Sequence, residues 1–156
     1  MLCELLNNTV LVAAVLAWFI GQFLKFPLEY LLNKQWNWGI IISAGGMPSS
    51  HSALVTAVTL SIGLQVGFNS PLFALAAAVS MIVIYDAAGV RRQAGIHAER
   101  INEMMKTFLE SHQFPEDELK EVLGHTPFEV ISGVLLGILI SLLLYWMFPV
   151  SPAKAC

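Results

Sequence analysis

The chain has 156 residues, of which 56% are hydrophobic and only 12% are charged, and its mean hydropathy is +0.69. Soluble domains carry about 25% charged residues, so this composition excludes an ordinary soluble protein and indicates one that lies in a membrane. The formal net charge is −3 and the few cations are scattered. No basic run marks a nucleic-acid surface, so we expect no nucleic-acid partner.

Four apolar spans follow one another along the chain, at residues 9–26, 52–68, 71–88 and 128–148. Each is near the roughly 20 residues that cross a bilayer as a helix. A short turn joins the second span to the third as an antiparallel hairpin, and the alanines of the third span favour close helix packing. We predict an all-α fold, a polytopic membrane helix bundle of about four transmembrane helices. The apolar patch at 38–44 is too short to span and is expected to be re-entrant or interfacial.

A polar helical insertion at about residues 92–124 interrupts what is otherwise one integral membrane domain, residues 1–156. From Ile101 to Leu109 the apolar positions recur at the spacing of an amphipathic helix. A second short helix is expected after Pro115. This segment is interpreted as a packing cap or a surface helix.

The four spans place the loops at 27–51 and 89–127 on one face of the membrane and both termini on the other. All lysines and arginines except Lys154 then lie on the loop face. Because positive loops stay in the cytoplasm, this rule predicts that the loop face is cytoplasmic or faces the organellar equivalent.

The loop face carries a small polar segment in an otherwise apolar chain, GGMPSSHSA at residues 45–53. It stands where the second span begins, and a helix start presents unpaired N–H groups and the positive end of the helix dipole. Glycines let a ligand approach the backbone, and serine hydroxyls add donors. We therefore predict a phosphate cradle at Ser49 and Ser50, with His51 as a proton-transfer group inside it. An ordinary helix cap beside a surface histidine is the structural alternative.

Cations on the same face add positive charge to this cradle. Lys25 is expected at the end of the first helix, and Arg91 and Arg92 follow the third span in YDAAGVRRQAG. Fixed positive charge favours a phosphate ligand. Asp86 in the same stretch is a candidate orienting group, and an ion pair with either arginine is its structural alternative.

The fourth span begins with GHTPFEV, in which His125 and Glu129 are four residues apart. On a helix they share a face and can form a hydrogen bond. A carboxylate on one imidazole nitrogen fixes the tautomer and leaves the other nitrogen free to attack. A capping box formed by Thr126 and Glu129 is the structural alternative, in which the carboxylate only caps the helix.

Three segments together, GGMPSSHSA, YDAAGVRRQAG and LGHTPFEV, resemble the divergent branch of the type 2 phosphatidic acid phosphatase superfamily, and the likeness covers nearly the whole chain. That superfamily includes lipid phosphatases and vanadium haloperoxidases, and its pattern is a lysine–arginine motif, then P-S-G-H, then S-R-x5-H-x3-D. Its divergent branch consists of small bacterial and plastid membrane proteins. The resemblance implies a bacterial inner or plastid-type membrane, and the distribution of lysine and arginine predicts that the site lies on its cytoplasmic or stromal face.

The resemblance also implies roles for three residues. His51 matches the histidine that protonates the leaving group, although Ser50 replaces the family's glycine before it. His125 matches the nucleophile that forms a phosphohistidine, and Glu129 stands where the family has an orienting aspartate.

The phosphate-binding residues of the superfamily match less well. Lys25 matches the family's lysine, but no arginine–proline pair follows it at the family's spacing. Leu119 stands where an arginine is expected, so the neighbouring Lys120, or Arg91 or Arg92 from another helix, is expected to supply the charge. The resemblance implies phosphatase chemistry that needs no metal, so we expect no metal and no other cofactor.

The expected activity is that of a membrane phosphatase, which hydrolyses a lipid phosphate monoester or a prenyl diphosphate through a phosphohistidine. Its partner would be a membrane lipid or lipid phosphate, such as phosphatidylglycerophosphate. One alternative is a non-catalytic protein on a relic phosphatase fold that binds anionic lipid or scaffolds a complex. Another is a metal-dependent hydrolase with Asp86, His51 and Glu129 as ligands. A transporter is disfavoured, because the spans carry few ionisable residues and no internal repeat.

Overall fold

The computed structural model describes residues 2–34, 45–109 and 125–148, and this part of the chain is helical with no strand. Its helices are α1 (Leu2–Asn7), α2 (Thr9–Asn33), α3 (Ser50–Val66), α4 (Pro71–Ala88), α5 (Val90–Leu109) and α6 (Pro127–Met147). The predicted all-α membrane bundle is therefore confirmed. The apolar patch at 38–44 and the short helix expected after Pro115 lie outside the described residues.

Three stretches of the described chain are long and apolar enough to cross a membrane, namely Thr9–Leu31, Pro71–Lys106 and Pro127–Met147. The remaining predicted span is α3, an apolar helix of 17 residues, which is at the short end of the range that spans a bilayer. The predicted turn joins α3 to α4, and these two helices pack against each other.

The first predicted span is longer than expected. The predicted span ends at Phe26, just before Pro27, and a proline in a helix interior removes a backbone hydrogen bond and clashes with the preceding turn. Instead α2 runs through Pro27 to Asn33. Prolines are tolerated in membrane helices, where neighbouring helices satisfy the freed carbonyl groups. The expectation that Lys25 ends this helix is wrong, because it lies in the helix interior.

The amphipathic helix also begins earlier than expected. The apolar spacing predicts a helix from Ile101, and α5 starts at Val90 with only Gly89 between it and α4. The large apolar side chains Ile101, Met104 and Met105 are exposed in the described structure. Within the described residues, α5 contacts α4.

The core lies where α3 packs between α2 and α6. It consists mostly of small side chains, and its members are Ala13, Ala17, Ala53, Ala57 and Ile140. Small residues let membrane helices approach closely, since lipid tails are as apolar as leucine and give no hydrophobic reason to bury large side chains. The large apolar residues of the spans face outward instead, Phe23, Leu75, Ile82, Leu135 and Trp146 among them.

The alanines of α4 are not members of this core. Ser80 and Ala87 are the buried residues of α4, while Ala74 and Ala78 are exposed. A run of small residues permits close packing on any side of a helix, and here α4 packs on α3 through only one of its faces.

The line of closest approach between α3 and α6, here called the α3–α6 seam, is set by two glycines of α6. A Cβ atom on Gly133 would overlap the backbone carbonyl oxygen of Ser49, and one on Gly137 would lie 2.5 Å from the carbonyl oxygen of Ala53. The spacing is the G-x-x-x-G pattern of close helix pairs in membranes. The seam therefore fixes the start of α6 against the start of α3.

Candidate active site

Ser49 fastens the start of α3 to the first turn of α6. Its backbone N–H donates to the carbonyl oxygen of Glu129 at 2.9 Å. Its hydroxyl accepts from the backbone N–H of Ser52 at 3.4 Å, as a helix cap, and from the hydroxyl of Ser52 at 3.0 Å. Both serines are fully buried. The capping interpretation of this segment therefore holds for Ser49.

At the start of α6, the imidazole of His125 contacts the carboxylate of Glu129. His125 Nδ1 and Glu129 Oε2 are 2.8 Å apart, as the spacing of four residues predicts. An ionised carboxylate only accepts hydrogen bonds, so Nδ1 carries the proton of the neutral ring. The other ring nitrogen, Nε2, then has a free lone pair.

The same carboxylate also caps the helix. Glu129 Oε2 accepts from the backbone N–H of Thr126 at 3.3 Å, and the backbone N–H of Glu129 donates to the Thr126 hydroxyl at 3.4 Å. This is a complete capping box. The structural and functional interpretations of Glu129 therefore do not exclude each other, because one carboxylate makes both contacts and the cap holds it in place for the imidazole.

Two buried polar atoms in this region have no hydrogen-bond partner among the described residues, His125 Nε2 and Ser50 Oγ. His125 is 2% exposed and Ser50 is 1% exposed. Leaving a buried polar group unsatisfied costs about 1–3 kcal/mol, so such a group calls for a partner such as ordered water, an ion or a ligand. These two atoms therefore mark a candidate polar site at the loop end of the α3–α6 seam.

Lys25 adds a side chain from a further helix, α2, to this site. Its side chain is 1% exposed, and it interacts electrostatically with Glu129. One turn earlier in α2, a Cβ atom on Gly21 would lie 3.2 Å from the Cα atom of Ser50, so α2 and α3 approach closely here. The site thus draws Lys25 from α2, Ser49 and Ser50 from α3, and the His125–Glu129 pair from the start of α6.

The structure gives less detail for the other predicted site residues. His51 is exposed at the second position of α3, next to the buried Ser50. Asp86 is half-buried near the end of α4. Arg91 and Arg92 lie in the first turn of α5, but their side chains are not among those described, and Lys120 lies outside the described residues. The roles assigned to these five residues stay predictions.

No group of three histidine, cysteine, aspartate or glutamate side chains in the described ranges is placed to hold a metal ion. Asp86, His51 and Glu129, the ligands of the metal-dependent alternative, are all described and do not form such a group.

Three glycines that position the site were not predicted as such from the sequence. Gly133 and Gly137 bring α6 onto α3, and Gly21 brings α2 onto Ser50. The signal for the first two was present, since G-x-x-x-G inside an apolar span of this length is a helix-packing pattern. Gly21 stands alone in its span and gave no such signal.

Comparison with known proteins agrees with these segments. The sequence profile of the Divergent PAP2 family matches residues 6–140. The chain is also 40% identical over 156 aligned residues to the "Uncharacterized membrane protein YuiD" of Bacillus subtilis (strain 168), an alignment covering 93% of this chain and 99% of that protein. No solved structure matches the chain. The three motifs, the helical bundle and both sequence matches agree: the chain is a membrane protein of the Divergent PAP2 family.

Proposed function

We propose that this protein is a membrane phosphatase that hydrolyses a lipid phosphate monoester or a prenyl diphosphate through a phosphohistidine on His125. One observation carries the proposal. The Nε2 atom of His125 is buried and unpartnered among the described residues, while Nδ1 is held by Glu129 at 2.8 Å. A nucleophile with a free lone pair, oriented by a third group, is the arrangement that covalent catalysis requires.

In the first step, Nε2 attacks phosphorus and an N–P bond forms as the P–O bond to the lipid breaks. The leaving oxygen takes a proton from His51, the general acid in this proposal. The Nδ1 proton remains on the ring, and the Glu129 carboxylate stabilises the positive charge that develops on the imidazole.

In the second step, water attacks the phosphohistidine. The neutral His51 left by the first step accepts a proton from that water, and the N–P bond breaks. Inorganic phosphate leaves, His125 recovers its lone pair, and His51 regains the proton that it gave to the leaving group. No oxidant, reductant or further co-reactant is required.

The phosphate oxygens would be bound by groups from several helices. The hydroxyl of Ser50 has no partner among the described residues, and Lys25 supplies a buried positive charge. We assign Arg91, Arg92 or Lys120 the remaining charge, since the developing charge on a transferring phosphoryl group needs an electrostatic clamp.

We further propose that the site faces the cytoplasm or stroma. The concentration of lysine and arginine on the loop face supports this orientation. Addition of an impermeant thiol reagent to intact cells, with a single cysteine placed at His97 in a variant without the native cysteines, tests it. Labelling of intact cells would contradict a cytoplasmic loop face.

The test is phosphate release by the purified protein in detergent, with a chelator present. The substrates are phosphatidylglycerophosphate, phosphatidic acid and a prenyl diphosphate, and the control is His125→Ala. We expect release from at least one substrate and a fall of about a thousandfold or more in the variant, the scale on which loss of a covalent nucleophile acts. Release that the chelator abolishes would favour the metal-dependent alternative.

A non-catalytic lipid-binding role is the second candidate, and the exposure of His51 favours it. An acid that protonates a leaving group must lie within hydrogen-bond reach of it, whereas the nucleophile is 2% exposed. If no substrate is cleaved above the level of His125→Ala while anionic vesicles still bind, this second role replaces the first.

A further inference from the structure

Helix α5 begins where a membrane-spanning helix has used up the thickness of the bilayer. Helix α4 has 18 residues, and these rise about 27 Å, close to the roughly 30 Å of a hydrocarbon core. The stretch Pro71–Lys106, which joins α4 to most of α5, has 36 residues. As one helix it would rise about 54 Å, almost twice that thickness. If α4 crosses the membrane, α5 therefore starts at the membrane surface.

Gly89 joins the two helices and changes the direction of the chain. Its backbone angles are φ −111° and ψ −76°, away from the helical values near −63° and −42°, so the axis of α5 does not continue that of α4. The backbone N–H of Gly89 donates to the carbonyl oxygen of Tyr85 at 2.9 Å, and that of Gln93 donates to Gly89 at 3.0 Å. Both helices are therefore bonded up to the bend, and α5 is attached to the end of the span without a loop.

The apolar side chains of α5 lie on a side of the helix that the described protein leaves uncovered. Ile101, Met104 and Met105 are exposed, Met104 at 70%. Gly95 and Asn102 are buried. Since they are seven residues apart, these two share another side of the helix. The side that α5 buries is thus not its apolar side, whereas a helix that only capped the bundle would cover its apolar side chains with protein.

The rest of α5 carries an excess of positive charge. It has four basic and two acidic residues, a formal charge of +2, in a chain whose net charge is −3. Arg100 stands one turn before Met104 and borders the apolar side, where a long cationic side chain can reach lipid headgroups. Glu99 is five residues before Met104, about 140° away around the helix axis. Apolar and charged sides are therefore separated.

We infer that α5 lies on the surface of the membrane that α4 spans, and that its partner is an anionic lipid surface. Ile101, Met104 and Met105 enter the boundary between headgroups and acyl chains, and Arg100 contacts the headgroups. A basic helix with one apolar side and little hydrophobicity overall is typical of helices that lie in this boundary. The inference does not rest on the proposed phosphatase, since it concerns a different surface and needs no catalysis.

The exposed apolar side chains of the spans do not call for the same explanation. Leu75 and Ile82 are also exposed, but both belong to α4. Inside the bilayer such side chains meet lipid tails that are as apolar as themselves. The apolar side of α5 lies beyond the length of α4, so the headgroup boundary is the part of the membrane that it can reach.

The first test measures the depth of α5 in phospholipid nanodiscs. Met104→Cys and Glu99→Cys, two exposed positions, each carry a nitroxide in the full chain without its native cysteines. We expect the label at 104 to collide more with oxygen than with a water-soluble nickel chelate, at a depth of about 5–10 Å below the headgroups. The label at 99 should show the reverse. A preference for the nickel chelate at both positions would overturn the inference.

The same labels distinguish lipid from protein as the partner. If a second copy or another segment of the chain covers the apolar side, the label at 104 is protected from oxygen and from the nickel chelate alike. Two copies that meet through this side would also bring their labels close enough to broaden the spectrum. Either result would overturn the inference.

The second test concerns the charge of the lipid. Arg100→Gln and its matched control Glu99→Gln are each combined with the label at 104, in discs of phosphatidylcholine with and without phosphatidylglycerol. With the anionic lipid, Arg100→Gln should shift the equilibrium between immersed and released helix about fivefold toward release, the effect of one basic side chain near such a surface. Glu99→Gln should not favour release. An equal effect of both variants, or no effect of either, would overturn the assignment of an anionic surface.

Discussion

The two ends of the α3–α6 seam differ in how their buried polar groups are satisfied. At the far end, Ser141 Oγ donates toward the carbonyl oxygens of Gly137 and Ala57, at 2.9 and 3.1 Å, and accepts from Ser61 Oγ at 3.3 Å. Nearby, Gln65 Nε2 donates to Thr9 Oγ1 at 2.6 Å. At the loop end, His125 Nε2 and Ser50 Oγ have no such partner among the described residues.

This difference distinguishes two kinds of buried polar group in a chain where polar residues are few. The far end encloses a space of only about 10 Å³, which is at most the room for one water molecule. Its hydroxyls bond across helices and hold α2, α3 and α6 together. The loop end holds equally buried groups, and two of them have no hydrogen-bond partner among the described residues. Burial alone therefore does not distinguish the two ends of the seam, whereas hydrogen bonding does.

The largest expected effect comes from forcing the loop end of the seam apart. In Gly133→Ala the new methyl group meets the carbonyl oxygen of Ser49, a backbone atom that cannot turn away. We expect a loss of about 1–3 kcal/mol in the free energy of unfolding, the range for overpacked sites, and a loss of phosphate release of tenfold or more. Unfolding in mixed detergent and the release assay measure the two effects.

Gly63→Ala is the matched control for this substitution. The atoms that a Cβ there would meet belong to the ring of Phe68, an exposed side chain that contacts Phe73, and not to the backbone. Alanine also has a helix propensity about 1 kcal/mol better than glycine, so the control should be near neutral or slightly stabilising. Equal losses in both variants would show that the seam at Gly133 has no special role.

The next effect separates the two contacts of Glu129. Glu129→Gln keeps an acceptor for the helix cap but removes the charge beside His125, and we expect phosphate release to fall about a hundredfold while stability changes by less than about 1 kcal/mol. Thr126→Ala removes the other half of the capping box and should lower stability by about 1 kcal/mol with activity nearly kept. If Thr126→Ala reduces release as much as Glu129→Gln, the carboxylate acts only as a cap.

The sequence predicts those parts of the molecule that local rules decide. Residues 71–88 were predicted as a span and form α4, because Ser70 caps the helix and Pro71 and Gly89 mark its ends. The His125–Glu129 contact follows from helical spacing alone. The predicted end of the first span at Phe26 was wrong, because α2 continues through Pro27 to Asn33, and prolines are tolerated inside membrane helices.

The orientation of the site could not be predicted in the same way. Ser50 and His51 are neighbours at the start of α3, and nothing local decides which of them is buried. The close approach of α2 at Gly21 and of α6 at Gly133 turns Ser50 inward. Tertiary packing therefore decides which of the two residues is buried. It also decides the burial of Lys25 beside Glu129.

The smallest expected effect compares one serine at each end of the seam. Replacement of Ser141 and of Ser50 by alanine should change the stability of the protein differently. Ser141→Ala removes a hydroxyl that bonds across helices, so stability should fall by about 0.6 kcal/mol, and at most about 1.7 kcal/mol, with phosphate release unchanged. Ser50→Ala removes a buried hydroxyl with no partner among the described residues, so stability should hold or rise. The same substitution should lower kcat/KM several-fold, because the phosphate loses a donor. Thermal unfolding and phosphate release of the two variants, measured in the same detergent, test these expected changes in stability and activity. A fall in stability for both would mean that Ser50 is bonded within the protein like Ser141, and the loop end would then be a second packing network.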